Sequence, residues 1–548
     1  MTISPGDRPG ENPRATRSVV MAKNGMVVTS QPLASTAGLQ VLIEGGNAVD
    51  ASVTAAATLS VVEPTMTGLG GDLFALLCNG RTDSVYALNA SGRAPFGASL
   101  EALEDRFPKQ RSMPHTGILS ISVPGAIDGW EQLLKHHGTI SLSRALAPAI
   151  EYARNGFVVT EVVANQWKAS ESLLLRDPTA ASTFLPNGRA PKAGETFSNS
   201  KLATTLERLS SDGSETFYRG ELAHEVSKDL SRRGSWFSET DFSSHRSDWV
   251  TPLRTMFRGR EILELPPNTQ GLTAIEILNI LDEYDLESLG HNSPNYLHLF
   301  IEAVRIAFAD RDAYVADSTA VDTEVIKYLC SKSYAASRRD EIELTRSASR
   351  VSAWRQDGPV PPPRVGSGDT VCLAAADSNG NVVSLIQSLF GAFGSGVMAG
   401  DTGIVLQNRA SLFSIEPRHP NCLAPGKRSF HTLIPAVVLE KNKPLLAFGV
   451  MGGDMQAQGH AQVIANFLAF DMNIQEAGEA ARARWTGEGV AVESGISSEA
   501  RSGLSTRMHH LTNEIGGFGG FQGIEIDQVG GVLKGGSDPR KDGVAIGW

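Results

Sequence analysis

The chain has 548 residues, 41% of them hydrophobic and 20% charged, with a formal net charge of −11. That is apolar chain enough for a large core of roughly two to four domain-sized units, and it excludes global disorder. The acidic balance argues against nucleic acid or an anionic membrane surface as partner, and no apolar run approaches the roughly 18 residues of a membrane helix.

In chain order, residues 1–18 read as a disordered tail without an apolar leader core, and 26–30 as a short strand. Leu33, Ala37, Leu39, Leu42 and Ile43 share a helical face over 32–44, which Gly45-Gly46-Asn47 ends. Asp50 is placed to cap an Ala-rich helix reaching Val62, apolar on nearly every side and therefore buried. The stretch 63–72 breaks that helix. Its Gly68-Leu69-Gly70-Gly71 lacks a P-loop lysine and opens no helix, so a phosphate role is rejected. Strands follow at 73–78 and 84–90. From about 98 to 345 the pattern is mostly helical, with helices at 126–137, 141–155, 272–283 and 296–314 and a strand at 261–265. The charges Asp310, Arg311 and Asp312 near the end of 296–314 read as surface or interface ion pairs. Beyond 370 come strands at 371–376, 382–388, 404–407, 436–439 and 444–450. Helices at 458–470 and 475–484 precede a last strand pair at 523–528 and 531–535. Strands near both ends with helices between predict a layered sandwich built from both halves of the chain.

The hairpin at 370–388 carries the chemistry. Asn379-Gly380 is a turn signal between two apolar runs, and a Pro- and Gly-rich leader without helix or strand, 358–368, precedes it. Thr370 therefore stands at the first position of a buried strand, directly after an exposed segment. Two readings are open from these residues: an ordinary strand start, or a nucleophile freed by self-cleavage, whose new α-amine is the base for its own hydroxyl. The four cysteines, Cys78, Cys330, Cys372 and Cys422, form no C-x-x-C pair and have no histidine at ligand spacing. They indicate no metal and fit a reducing, cytoplasmic setting. No cofactor motif is present.

Gly45–Ala51, Glu63-Pro64-x-Met66-Thr67-Gly68-x-Gly70-Gly71, Val123-Pro124-Gly125, Pro266-Pro267, Ala309-Asp310-Arg311 and Gly536-Ser537-Asp538-Pro539-Arg540 resemble the γ-glutamyltranspeptidase family, in family order. The resemblance implies an α+β fold, the four-layer αββα sandwich of N-terminal-nucleophile hydrolases, with two sheets between helical layers. It implies cleavage between Asp369 and Thr370, a large piece 19–369 after the tail, and a small piece 370–548, together one composite domain. Thr370 is then the nucleophile. Ser388 falls on a hydroxyl that orients Thr370 or assists self-cleavage, or is one more strand residue. Gly452-Gly453 falls on the pair whose N–H groups form the oxyanion hole, where a single donor is worth on the order of 3 kcal/mol.

The donor-binding positions depart from the family pattern. Phe390 stands for an asparagine, Arg409 for a glutamine, Leu412 for the acid that grips the α-ammonium, and His431-Thr432 for a Ser-Ser pair. Ser91 replaces the carboxylate-gripping arginine, with Arg93 two residues on as substitute. A substrate ammonium would lack a partner and face Arg409, so a small anionic amide is expected. This pattern resembles the oxamate amidohydrolase branch. The alternatives are a γ-glutamyl hydrolase or transpeptidase acting on glutathione-like donors, a cephalosporin-type acylase, and an unprocessed non-enzymatic relative. The expected partners are a small amide substrate and the two pieces of the chain for each other, with further oligomerisation left open.

Overall fold

Alternate residues of the strand Asp369–Asp377 enter two different cores, which sets the layering. Val371, Leu373 and Ala375 pack into one apolar cluster, while Cys372, Ala374 and Ala376 pack into another. The strand reads as a continuous apolar run because both its faces are covered. The structure is a computed structural model that describes residues 15–109, 111–355 and 368–548.

One seven-stranded sheet runs Val544–Gly547, Gly25–Thr29, Asp369–Asp377, Val382–Phe390, Asp72–Cys78, Val85–Ala90, Asp248–Val250. The other runs Val20–Ala22, Val532–Ser537, Gly520–Asp527, Lys443–Met451, Ala436–Glu440, Arg260–Glu264, Leu253–Phe257. All neighbours in both sheets are antiparallel. The sheets face each other across Met26, Phe74, Leu263, Cys372, Val437 and Ala447. Gly449 lets them approach closely: a Cβ there would lie 3.0 Å from that of Cys372. Helices Pro32–Ile43, Ala48–Val62, Ala126–His137 and Leu142–Asn155 contribute to the core over the first sheet. Helices Gly271–Leu281, Pro294–Tyr314 and Met455–Leu468 cover the second. The molecule is thus an α+β, four-layer αββα sandwich, as the family resemblance implied.

Several local expectations are corrected. Asn47, not Asp50, caps the helix Ala48–Val62: its side chain accepts from Val49 N and Asp50 N, and Asp50 closes a capping box from the third helical position. Asp50 is instead tied to Thr139 N at 2.8 Å. Residues 404–407 form only isolated bridges, Leu406 with the distant Gly70 and Val405 with the nearby Met398, because loop residues rather than a sheet edge meet them. The helix expected over 475–484 stops at Glu479, and Ala483–Trp485 pairs as a strand with Val490–Val492. The helical middle contains the strands Asp248–Val250 and Leu253–Phe257. Of the tail, Ala15 is buried and Thr16 N donates to Glu479 at 2.8 Å. Residues 1–14, and the leader 358–368 apart from Gly368, lie outside the described residues.

Candidate active site

The hairpin turn is held by Asp377. Its carboxylate accepts from Asn379 N at 2.9 Å and Asn381 Nδ2 at 2.8 Å, and also from Ala48 N at 2.9 Å, which anchors the turn to a helix start. Only Gly380 of the Asn-Gly pair adopts positive φ, at 78°.

At the other end the pairing shifts. From Asp369 to Val371 one strand advances two residues while its partner runs from Phe390 back three, to Gln387. Thr370 therefore faces the bulged pair Ser388 and Leu389. A bulge of this kind re-aims side chains, and here Thr370 Oγ1 donates to Ser388 Oγ at 3.3 Å. Ser388 Oγ also accepts from Phe390 N at 2.7 Å and from Arg409 Nη2 at 3.1 Å. Phe390 itself sits at φ 79°, a left-handed conformation that costs an L side chain about 1–2 kcal/mol.

Arg409 begins a short 3₁₀ turn, Arg409–Leu412, and is fully buried. Its Nη1 donates to Thr432 Oγ1 at 2.9 Å, and its guanidinium lies 4.5 Å from the centre of the Phe390 ring. Its Nε is buried without a partner, and it forms no ion pair among the described residues. Burial lowers Arg409 to about 9, with Asp72 acting in the opposite direction.

Asp72 is the cross-strand partner of Ser388 and is wholly buried. It accepts from Gly92 N at 2.9 Å and from His431 Nε2 at 3.1 Å. Burial pushes its carboxyl up to about 7, partly offset by Arg409, Gly92, Gln407 and Arg428. Burial, reinforced by Arg409 and Arg428, holds His431 well below the usual imidazole value. The imidazole is thus neutral, and because its Nδ1 accepts from Leu433 N at 3.2 Å, its proton sits on Nε2.

Gly452 and Gly453, at φ 112° and 59°, turn the chain from strand Lys443–Met451 into helix Met455–Leu468. A helix N-terminus with successive backbone amides suits a developing anion. In the uncut chain Gly368 packs against this turn: a Cβ on it would lie 3.1 Å from Gly453 Cα and 3.1 Å from Phe390 Cδ2. Gly368 thus occupies the space beside the Gly-Gly turn.

The structure therefore brings together Thr370, Ser388, Phe390, Arg409, His431, Thr432 and the Gly452-Gly453 turn. It places two other residues apart. Arg93 is directed to Asp317 and Asp248, at 3.4 and 3.6 Å, and to Gly426 O. Leu412 packs on an apolar cluster with Leu272, Val315 and Phe430.

Two residues escaped the sequence reading. Asp72, a lone carboxylate opening an all-apolar strand, was a signal in itself. Gln270 donates to Thr432 O at 2.8 Å and to Gly453 O at 3.0 Å, tying both sides of the site. Arg311, expected in surface or interface ion pairs, does form ion pairs and is fully buried: it pairs with Asp312 and Asp454 and donates to Gln270 Oε1. Outside the site, His298, Glu302 and His509 form a compact group of metal-ligating types. Their donors are engaged, the two rings with each other at 2.7 Å and Glu302 with Arg305 and Ser347.

Residues 34–548 match the family model described as Gamma-glutamyltranspeptidase. The chain is 38% identical over 542 residues to the glutathione hydrolase-like YwrD proenzyme of Bacillus subtilis, covering 97% of this chain and 99% of that one. It is 34% identical to the oxamate amidohydrolase proenzyme of Klebsiella pneumoniae, covering 96% and 99%. The crystal structure of cephalosporin acylase from Bacillus halodurans superposes with a TM-score of 0.91 at 39% identity, covering 99% of each chain. The chain belongs to the gamma-glutamyltranspeptidase family and is an enzyme of its amide hydrolase and acyltransferase kind.

Proposed function

We propose that this chain cuts itself between Asp369 and Thr370, and that the new N-terminal threonine then hydrolyses a small carboxylate-bearing amide of the oxamate kind. The observation that carries the substrate reading is Arg409, a buried cation beside Ser388 with no carboxylate paired to it. A substrate carboxylate supplies the missing partner, whereas an α-ammonium would meet like charge.

Self-cleavage starts with Thr370 Oγ1 attacking the Asp369 carbonyl carbon. The bulge at Thr370 and the hydrogen bond to Ser388 favour that alignment. The N→O shift leaves an ester and a free α-amine, and water hydrolyses the ester to release the Asp369 carboxylate. In turnover the α-amine, with an ordinary pKa of about 8, takes the Oγ1 proton as Oγ1 attacks the amide carbon. The Gly452 and Gly453 N–H groups face the oxyanion. Ammonia leaves with the proton, and water hydrolyses the acyl-enzyme.

The pieces 19–369 and 370–548 stay associated in this reading. Strand Gly25–Thr29 of the first lies between Leu373–Asp377 and Val544–Gly547 of the second, so cleavage cuts a bond without dividing a core. The cysteines, with no disulfide among the described residues, support a cytoplasmic setting. A second reading, an acylase acting on a larger carboxylate-bearing acyl group, draws on the likeness to the Bacillus halodurans enzyme and uses the same Arg409.

A denaturing gel with N-terminal sequencing tests the first step: two pieces are expected, the smaller beginning at Thr370, and Thr370→Ala stays whole. A substrate panel tests the second. Ammonia release from oxamate is expected to exceed hydrolysis of a γ-glutamyl anilide, and the reverse order would overturn the substrate reading. Preference for an N-acyl cephalosporin would select the acylase.

A further inference from the structure

We propose that Asp72 is the proton-linked counter-ion of Arg409, balancing that cation in the empty site and taking up a proton when a substrate carboxylate binds. The inference rests on the reading of Arg409 as the anion holder and adds what governs its availability. Asp72 is a positioning and specificity residue here, not one that touches the reacting atoms.

The geometry carries it. Asp72 lies directly across from Ser388, the residue whose Oγ receives Arg409 Nη2 at 3.1 Å. Arg409 has no ion-pair partner among the described residues, and Asp72, one residue away through Ser388, is the carboxylate whose charge acts on it. An incoming substrate carboxylate would place a second negative charge against the same buried cation. Two carboxylates sharing one site do not both stay ionised.

Gln407 and Gly92 favour the ionised carboxylate through hydrogen bonds, so in the empty site Asp72 keeps charge against Arg409 despite its burial.

The other groups facing Asp72 do not replace it in this role. His431 is neutral and donates its single proton to Asp72. Arg428 is occupied by Asp248, by Ser91 O at 2.9 Å and by Arg246 O at 3.0 Å. Tyr218 is held protonated by burial and donates to Pro124 O at 2.9 Å. Gly92 N contributes a neutral donor.

The sign follows from the raised carboxyl. Below about pH 7 Asp72 is already neutral and Arg409 is open to an anion; above it, ionised Asp72 competes with the substrate. For the processed enzyme acting on whichever carboxylate-bearing amide it hydrolyses best, KM should rise about tenfold per pH unit above about pH 7, without a matching change in kcat. In Asp72→Asn the rise should vanish and KM stay near its low-pH value. Calorimetry of the unaltered processed enzyme gives a second measurement that needs no variant. At about pH 8 oxalate binding, measured in two buffers of different ionisation enthalpy, should take up close to one proton, and at about pH 5.5 close to none. The same KM profile in Asp72→Asn as in the unaltered enzyme, or no proton uptake at about pH 8, overturns the proposal. The substrate reading fails separately, by preference for a γ-glutamyl amide, whose own carboxylate still permits the KM comparison.

Discussion

Arg311 and Arg409 are both fully buried, and each is one contact from the Gln270–Thr432 pair that braces Gly453. Their surroundings differ in charge. Arg311 is paired at 2.9 Å with Asp312 and at 2.8 Å with Asp454, and the Phe308 ring lies 4.0 Å from its guanidinium. Burial pulls Arg311 down, and its two carboxylates more than reverse this. Arg409 has two hydroxyls, one ring and a more distant carboxylate, and burial wins. A saturated buried cation holds a fold together; an unsaturated one is a binding site awaiting an anion.

Replacing each arginine by methionine is the most direct way to break this comparison, and Arg311 carries the largest expected effect. Arg311→Met leaves Asp312 and Asp454 buried without their cation, at a cost of about 3–5 kcal/mol. The loss would appear as a lower urea midpoint with an unchanged slope. Arg409→Met strands no carboxylate within ion-pair distance, and Asp72, raised to about 7, takes up a proton in place of its lost counter-ion, so at or below about pH 7 stability should stay within about 1 kcal/mol of the parent or exceed it. Equal destabilisation by the two variants would show that Arg409 is as structural as Arg311.

The next effect is on discrimination. A hydrogen bond to a charged group is worth about 1.5–3 kcal/mol. Arg409→Met should therefore narrow the kcat/KM advantage of oxamate over its neutral analogue oxamide by about 10- to 100-fold. The ratio is the proper readout, because loss of the Arg409 bond to Ser388 lowers turnover of both substrates. An unchanged ratio would place the carboxylate elsewhere.

The same pair marks where sequence reading reaches and where it stops. The hairpin, the threonine at its edge and the Gly-Gly turn were legible because local pattern and family motif agree there. Arg311 was legible as an ion-pairing residue at a surface or an interface, but its full burial was not, because Asp310-Arg311-Asp312 is a charged run in one dimension. The acid that helps bury it, Asp454, is 143 residues away. Arg409 was legible as a changed residue, but its missing partner was not, since an unpaired state belongs to three-dimensional surroundings. Arg93 illustrates the converse: nearness in sequence to the replaced Ser91 suggested a carboxylate holder, and its guanidinium is directed at Asp248 and Asp317. Short strands such as Val544–Gly547 escaped because their pairing with Gly25–Thr29, at the other end of the chain, is what makes them strands.

The smallest effect tests the ring that shields Arg409. Phe390 combines a left-handed backbone at φ 79° with a ring 4.5 Å from the Arg409 guanidinium, and Gly368 packs on the ring's other atoms in the uncut chain. Phe390→Ala and Phe390→Gly remove the same ring, worth about 0.5–2 kcal/mol as a cation–π contact, and open Arg409 to water equally. They differ in the backbone. Alanine keeps the left-handed cost of about 1–2 kcal/mol, and glycine removes it while adding about 0.5–1 kcal/mol of chain entropy in the unfolded state. Phe390→Gly should therefore be the more stable of the two by about 0.5–1 kcal/mol in urea unfolding, a reversal of the usual order in a strand. If alanine is the more stable, the backbone at 390 is not strained. The ring would then be held by its packing on Arg409 and Gly368, and the two arginines would differ less than their partners imply.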